Sequence, residues 1–178
     1  SEIYKNRKNM KIPFSSKDKI LCAKYRKGHF EGVLAVINQL LKIIKAKYIF
    51  LGKKDYQQVF LIKKFIKKRF NIKVVACNTV RDNNSLAYSS RNLLLNKKDL
   101  IKASFVTKKI KSIYNQIKKN VKNAKKINDL KINFCKNDIK IEYLQIRNKF
   151  NLSKKFNKKN FKIFVAFYIN KVRLIDNF

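Results

Sequence analysis

The chain has 178 residues, 46% of them hydrophobic, which suffices for one domain or one and a half small ones with a real core and excludes a disordered chain. Its formal charge is +35, carried by 45 basic residues against 10 acidic ones. Three scattered cysteines, Cys22, Cys77 and Cys135, offer no CxxC pair and no disulfide framework, and no apolar run approaches the ~18 residues of a membrane span.

Residues 1–28 read as polar and irregular, with the single proline, Pro13, and a basic stretch from Lys24 to Lys27. Gly28 precedes a long helical pattern in which Val33, Leu34, Val36, Ile37, Leu40, Leu41 and Ile44 recur on a wide face. Tyr48-Ile49-Phe50-Leu51, closed by Gly52, reads as a buried strand. A helix over about 56–69 follows, with Val59, Ile62, Phe65 and Ile66 inward, and then a second buried strand from Ile72 to Cys77. Helix, strand, helix, strand at this spacing predicts a parallel sheet with a right-handed crossover. Residues 81–92 are polar and loop-like. A Lys-rich helix is expected over about 97–120 with Asn96 as N-cap, and a shorter one near 123–135. Ile139 to Arg147 alternates as a strand, with Ile139, Ile141 and Tyr143 on one side. Phe161 to Ile169 is a second strand, and 171–175 returns beside it through a turn at Asn170. The domain organisation expected is 1–80 as part of a parallel α/β domain and 81–178 as a small α+β domain. The cysteines are expected as buried free thiols in a reducing cytoplasm. Ser1 in place of Met, with no secretory leader, suggests a fragment or a trimmed chain.

Three segments carry candidate chemistry. Gly52-Lys53-Lys54-Asp55-Tyr56-Gln57-Gln58 joins the C-terminal end of a parallel strand to a helix N-terminus, where ligands of open α/β sheets and phosphates bind. Gly52 would admit a close backbone approach and Lys54 would reach a polyphosphate. Asp55 and Gln58 also stand at capping-box spacing, so a purely structural role remains open for that pair. Tyr88-Ser89-Ser90-Arg91-Asn92 offers two hydroxyls and an arginine for triphosphate oxygens, but pattern alone favours an ordinary loop before a helix. His29, the one histidine, opens the first long helix and cannot form a two-histidine site; no metal cluster or Gly-rich phosphate loop is visible.

These segments occur in order with others. Gly28-His29-Phe30-Glu31-Gly32-Val33, Gly52 to Gln58, Thr79-Val80-Arg81, Leu86-Ala87-Tyr88-Ser89-Ser90-Arg91-Asn92 and Arg173-Leu174-Ile175-Asp176-Asn177 resemble successive blocks of the pantothenate synthetase family, and Glu2-Ile3-Tyr4 resembles a segment just upstream. The resemblance runs the length of the chain. It implies the second half of a Rossmann-like nucleotidyltransferase domain followed by a small C-terminal domain with antiparallel strands. It implies an ATP-dependent ligase in which pantoate attacks the α-phosphate of ATP to form pantoyl adenylate, and β-alanine then displaces AMP. Mg²⁺ assists, and the enzyme is expected as a cytoplasmic homodimer. By motif, Gly52, Lys53, Lys54 and Asp55 would contact ATP, with Lys54 on phosphate and Asp55 near the ribose. Val80 would lie on the adenine side, and Tyr88, Ser89, Ser90 and Arg91 would form a mobile phosphate loop. Gln58, His29 and Val33 would serve pantoate.

The family usually has Glu at Lys53, Gly at Ser85 and Met at Tyr88. Its His-x-Gly-His motif lies upstream of Glu2, so negligible synthesis by these 178 residues alone is expected.

The rival reading rests on charge. Clustered cations displace counterions from nucleic acids, which fits a basic nucleic-acid or ribosome-associated protein. Lys, however, supplies 38 of the basic residues and Arg, the better fork for phosphate and guanine, only 7. Asn and Ile are enriched as well, at 21 and 22 residues, so compositional drift accounts for the excess better than a specific nucleic-acid partner does.

Overall fold

The computed structural model describes residues 14–137 and 139–178; Pro13 and the Glu2-Ile3-Tyr4 segment lie outside the described residues. The chain forms two compact units, Ser1–Asn78 and Thr79–Phe178.

In the first unit, the stretch expected to be irregular is partly ordered. A 3-10 turn over Ser16–Asp18 is followed by a short helix α1 (Cys22–Tyr25), and Leu21, Cys22 and Ala23 are buried. Two side chains explain much of this order. Gln57 donates to the carbonyls of Asp18 at 3.3 Å and Ile20 at 2.8 Å, and Lys64 pairs with the Asp18 carboxylate at 2.8 Å. Helix α2 (His29–Ile43) starts after Gly28, whose φ of +75° is one that glycine adopts without a Cβ penalty.

Strand β1 (Tyr48–Gly52), a 3-10 turn over Lys53–Asp55, helix α3 (Tyr56–Lys67) and strand β2 (Lys73–Cys77) follow. The strands pair in parallel from Tyr48↔Lys73 to Gly52↔Cys77, as the helix–strand alternation predicts. Leu34 of α2 and Ile62, Phe65 and Ile66 of α3 form the core, with Ile49, Leu51 and Val74 packed against it. The expectation of fully buried strands is corrected. Tyr48 and Phe50 face away from this core, and Phe50 is 67% exposed. Apolar residues at every strand position belong to a sheet covered on both faces; among the described residues, α2 and α3 cover one. The cysteine expectation is corrected as well. Cys22 is buried, but Cys77 lies in register with Gly52 on the uncovered face, and it and Cys135 are exposed.

The second unit packs two helices on an antiparallel sheet. Helix α4 (Lys97–Lys119) begins where the sequence places it, with the Asn96 side-chain oxygen accepting from the Asp99 N–H at 2.9 Å. The shorter helical region divides into a 3-10 segment, Val121–Lys125, and α5 (Lys126–Lys136). Strands β3 (Lys140–Asn148), β4 (Phe161–Ile169) and β5 (Val172–Asn177) are ordered β3-β4-β5. Asn170 makes the expected tight turn at φ +53°, and its amide donates to both Asp99 oxygens at 3.0 Å, tying the hairpin to the first turn of α4. Phe161, Ile163, Val165, Phe167 and Ile169 face Val106, Ile110, Ile117 and Phe134.

The alternation read over 139–147 breaks. Ile141 pairs with Phe167 and Tyr143 with Ala166, so Glu142 is the extra residue of a β-bulge. The bulge shifts the phase: Ile139 and Ile141 face the core before it, Leu144 and Ile146 after it. Tyr143 is buried but stands outside that cluster.

Candidate functional site

In the first unit, Gly52 ends β1, Lys53–Asp55 form the turn, and Gln57 and Gln58 sit in the first turn of α3. This is the strand edge at which α/β sheets bind ligands, with N–H groups at the helix start available to anions. Gly52 has an ordinary extended backbone, φ −71° and ψ 129°, and a Cβ placed on it meets nothing within 4 Å. Neither backbone strain nor crowding requires glycine here, whereas close approach of a ligand would. Lys53 and Lys54 are half-buried, and the Lys53 ammonium donates to the Asn78 side chain at 2.7 Å, linking the ends of β1 and β2. The alternative of a capping box is corrected: Asp55 sits at the N-cap with φ −92° and ψ 54°, and its side chain makes no capping hydrogen bond. Gln57, not Gln58, is the buried structural glutamine of this turn, a role the sequence alone did not mark.

His29 and Val33 come together. Both line an open trough of about 420 Å³ along α2, with Gly28, Gly32, Val36 and Ile37; Gln58 is not among its lining residues. The His29 ring also lies 5.0 Å from that of Phe30.

In the second unit, residues 80–92 form a laced loop rather than open coil. Tyr88 N–H donates to Val80 C=O at 3.1 Å and Asp82 N–H to Leu86 C=O at 2.9 Å, around an antiparallel bridge between Arg81 and Ala87. The ladder brings Val80 and Tyr88 side by side, and both are largely exposed. Ser89 caps the 3-10 turn over Ser90–Leu94 by accepting from the Arg91 N–H at 3.3 Å, with Ser90 exposed and Arg91 half-buried. An apolar step beside two hydroxyls and a guanidinium suits a base and its phosphates.

Ser85 closes this loop at φ +69°, a left-handed conformation. The family's usual glycine therefore has a conformational reason. Ser85→Gly is expected to stabilise the chain by about 0.5–1 kcal/mol, the difference between ~1–2 kcal/mol of relieved Cβ strain and ~0.4–1 kcal/mol of added unfolded-state entropy. Urea unfolding of the two proteins measures it.

Similarity to known proteins decides the family. The model described as Pantoate-beta-alanine ligase matches residues 1–178. The chain belongs to the pantoate–β-alanine ligase family. A pantothenate synthetase of Clostridium botulinum (strain Langeland) is 33% identical over 182 residues, spanning 100% of this chain and 65% of that protein. One from Francisella tularensis subsp. mediasiatica is 42% identical over 160 residues, 89% of this chain and 53% of that protein. The chain thus spans between about half and two-thirds of the length of the curated relatives it matches. The crystal structure of pantothenate synthetase from Thermus thermophilus superposes with a TM-score of 0.85 at 23% identity over 99% of this chain and 66% of that one, which shows the fold. The pantoate–β-alanine ligase from Francisella tularensis complexed with β-γ ATP and β-alanine matches with a TM-score of 0.77 at 36% identity, covering 99% of this chain and 60% of that one.

Charged clusters of the second unit went unmarked in the sequence: Arg81 pairs with Asp176, and the bulge residue Glu142 receives Arg173 and the Tyr168 hydroxyl, the latter at 3.0 Å. The Tyr168 hydroxyl is pushed above its usual value by burial first, then by its hydrogen bond to Glu142 and that carboxylate's charge, while Arg173 pulls the other way. A raised folded-state value means that the neutral phenol is favoured in the native state. Its stabilisation is complete below the ordinary value of 10.0 and is lost as pH rises through the higher folded value. Urea midpoints are therefore expected to fall as pH rises above about 10, and to fall less in Tyr168→Phe. Lysine deprotonation acts on both proteins alike, so the difference isolates this hydroxyl.

Proposed function

We propose that the chain contributes the nucleotide-gripping part of an ATP-dependent acid–amine ligase that joins pantoate to β-alanine through an adenylated carboxylate. The observation that carries this reading is the β1–α3 junction: Lys54 follows a glycine that the chain itself does not require, at a parallel strand end facing a helix start. The ATP and β-alanine held by the Francisella ligase support the substrate class.

On this reading residues 1–80 belong to the Rossmann-like ATP and pantoate domain, and 81–178 form the smaller C-terminal one. In the first, Gly52 and Lys53 flank the nucleotide, Lys54 takes phosphate oxygens, Asp55 lies toward the ribose, and Gln58, His29 and Val33 serve pantoate. Val80, the last residue of the first, and Tyr88 offer the apolar surface, and Ser89, Ser90 and Arg91 of the second donate to oxygens on which charge develops during adenylation. Among the described residues no group of three or more His, Cys, Asp or Glu side chains is placed to hold a metal. Mg²⁺ would therefore arrive on the triphosphate, whose oxygens and waters suit its octahedral demand, and would neutralise phosphate charge there. A cytoplasmic homodimer is the setting this reading carries.

Calorimetric titration of the 178-residue chain with MgATP tests it. Saturable binding at physiological ionic strength that pantoate strengthens is expected. Purely salt-dependent, unsaturable uptake, with equal preference for any polyanion, would sink it in favour of bulk charge.

A further inference from the structure

Of the ion pairs described in the second unit, that of Arg81 with Asp176 joins the segments farthest apart in the chain, 95 residues. Arg81 donates from Nη1 to Asp176 Oδ2 at 2.6 Å and from Nη2 to Oδ1 at 2.8 Å, a bidentate fork. The Asp176 side chain is 2% exposed. The guanidinium does more than neutralise it. Nη1 also donates to the Ser85 carbonyl at 2.9 Å, Nη2 to the Asn177 carbonyl at 3.3 Å, and the group lies 4.5 Å from the centre of the Phe178 ring. Asp176 and Phe178 are themselves fixed: β5 pairs Asp176 with Val165, and Phe178 exchanges backbone hydrogen bonds with Ile163 in both directions.

One guanidinium thus joins the sheet to the far end of the 80–92 loop. From Arg81 the chain turns through Asp82, whose carboxylate accepts from Asn84 and Leu86 N–H, and reaches Ser85, whose carbonyl Arg81 holds. It returns along the ladder to Ala87, whose carbonyl accepts from the Asn92 amide. Tyr88 to Arg91 lie between these last two anchors. We propose that Arg81 and Asp176 are positioning residues, setting from the C-terminal strand the geometry of the loop that presents Tyr88, Ser89, Ser90 and Arg91. The part of this inference that concerns nucleotide rests on the function proposed above. Lysine cannot replace Arg81 here, because a single ammonium has no fork to span both Asp176 oxygens and the Ser85 carbonyl.

A merely stabilising ion pair would loosen the whole unit when broken, whereas a positioning pair loosens the loop. Hydrogen exchange of the 178-residue chain separates these, read on peptides from 82–92 and on peptides from α4 and β4. Asp176→Asn removes the charge, and Arg81→Lys keeps a cation opposite Asp176 should the first variant not fold. Expected is an acceleration of about tenfold or more in 82–92 in the variants, with α4 and β4 within about twofold of the parent. Loop exchange unchanged, or α4 and β4 accelerating as much as the loop, overturns the inference. MgATP titration of the same variants adds a second readout: affinity weakened by about tenfold supports positioning, and affinity equal to the parent overturns it. If the unsubstituted chain shows no saturable MgATP binding, the nucleotide reading fails by itself, and the exchange data still decide whether this pair holds the loop.

Discussion

Lys54→Ala is expected to weaken MgATP binding by about 10- to 100-fold. A hydrogen bond to a charged group contributes ~1.5–3 kcal/mol net, and each ~1.4 kcal/mol is a factor of ten in affinity. The control matters more than usual in a chain of charge +35, because removing any lysine lowers its general attraction for a polyanion. Lys63, on the exposed side of α3, supplies that control. Lys63→Ala changes the net charge equally and is expected to shift affinity by less than about twofold at physiological salt, where exposed charges beyond ~8 Å are screened. Equal losses in the two variants would mean that ATP responds to the field of the whole surface, and Lys54 would lose its assigned role. Lys53→Ala probes the departure from the family's usual glutamate. Since its ammonium already donates to Asn78, its loss is expected to act on the β1–β2 strand ends more than on the triphosphate.

The sequence revealed most where a local signal and a tertiary demand coincide. The 3.6-residue period of Val59, Ile62, Phe65 and Ile66 places the inner face of α3, and all four are buried. Asn96 caps α4 because a short polar side chain at a helix start has a low-cost partner, the Asp99 N–H. Asn170 takes the left-handed turn between two apolar strands for a comparable local reason. What escaped reading depends on partners distant in the chain. The bulge at Glu142 has no signature in an alternating run, because it is specified by Tyr168 and Arg173, 26 and 31 residues onward. Arg81 and Asp176 lie 95 residues apart, in two separate blocks of the resemblance, and no local pattern shows that they pair. Strand burial was overestimated because apolar composition tells what a strand tolerates, not how many layers cover it. At the site, residue identity came from the ordered blocks. The open space at Gly52 and the left-handed Ser85 came only from backbone geometry.

The largest stability effect is expected from Phe134→Ala. Phe134 has no exposed surface and meets Phe105 edge-on, with ring centres 6.2 Å apart and planes at 79°. It also sits where α5 gives way to β3: its carbonyl accepts from the N–H groups of Asn137 and Ile139. Truncation removes the ring from water-free packing and leaves a cavity that β4 residues such as Phe167, fixed in the middle of a three-stranded sheet, are poorly able to fill. The expected cost is about 3–5 kcal/mol, against a usual domain stability of ~5–15 kcal/mol. For a unit of about 100 residues each kcal/mol shifts the melting midpoint by roughly 4–8 °C, so a fall of more than about 12 °C is expected in a thermal scan. Phe150, the same residue type but 70% exposed, is the comparison, and Phe150→Ala is expected within about 0.5 kcal/mol of the parent. Equal, small effects at both positions would mean that the packing of α5 on the sheet contributes little to the second unit. Because that packing also fixes β4, against which β5 and Asp176 are paired, a large loss at Phe134 should carry the 80–92 loop with it, which Asp176→Asn should not do in reverse.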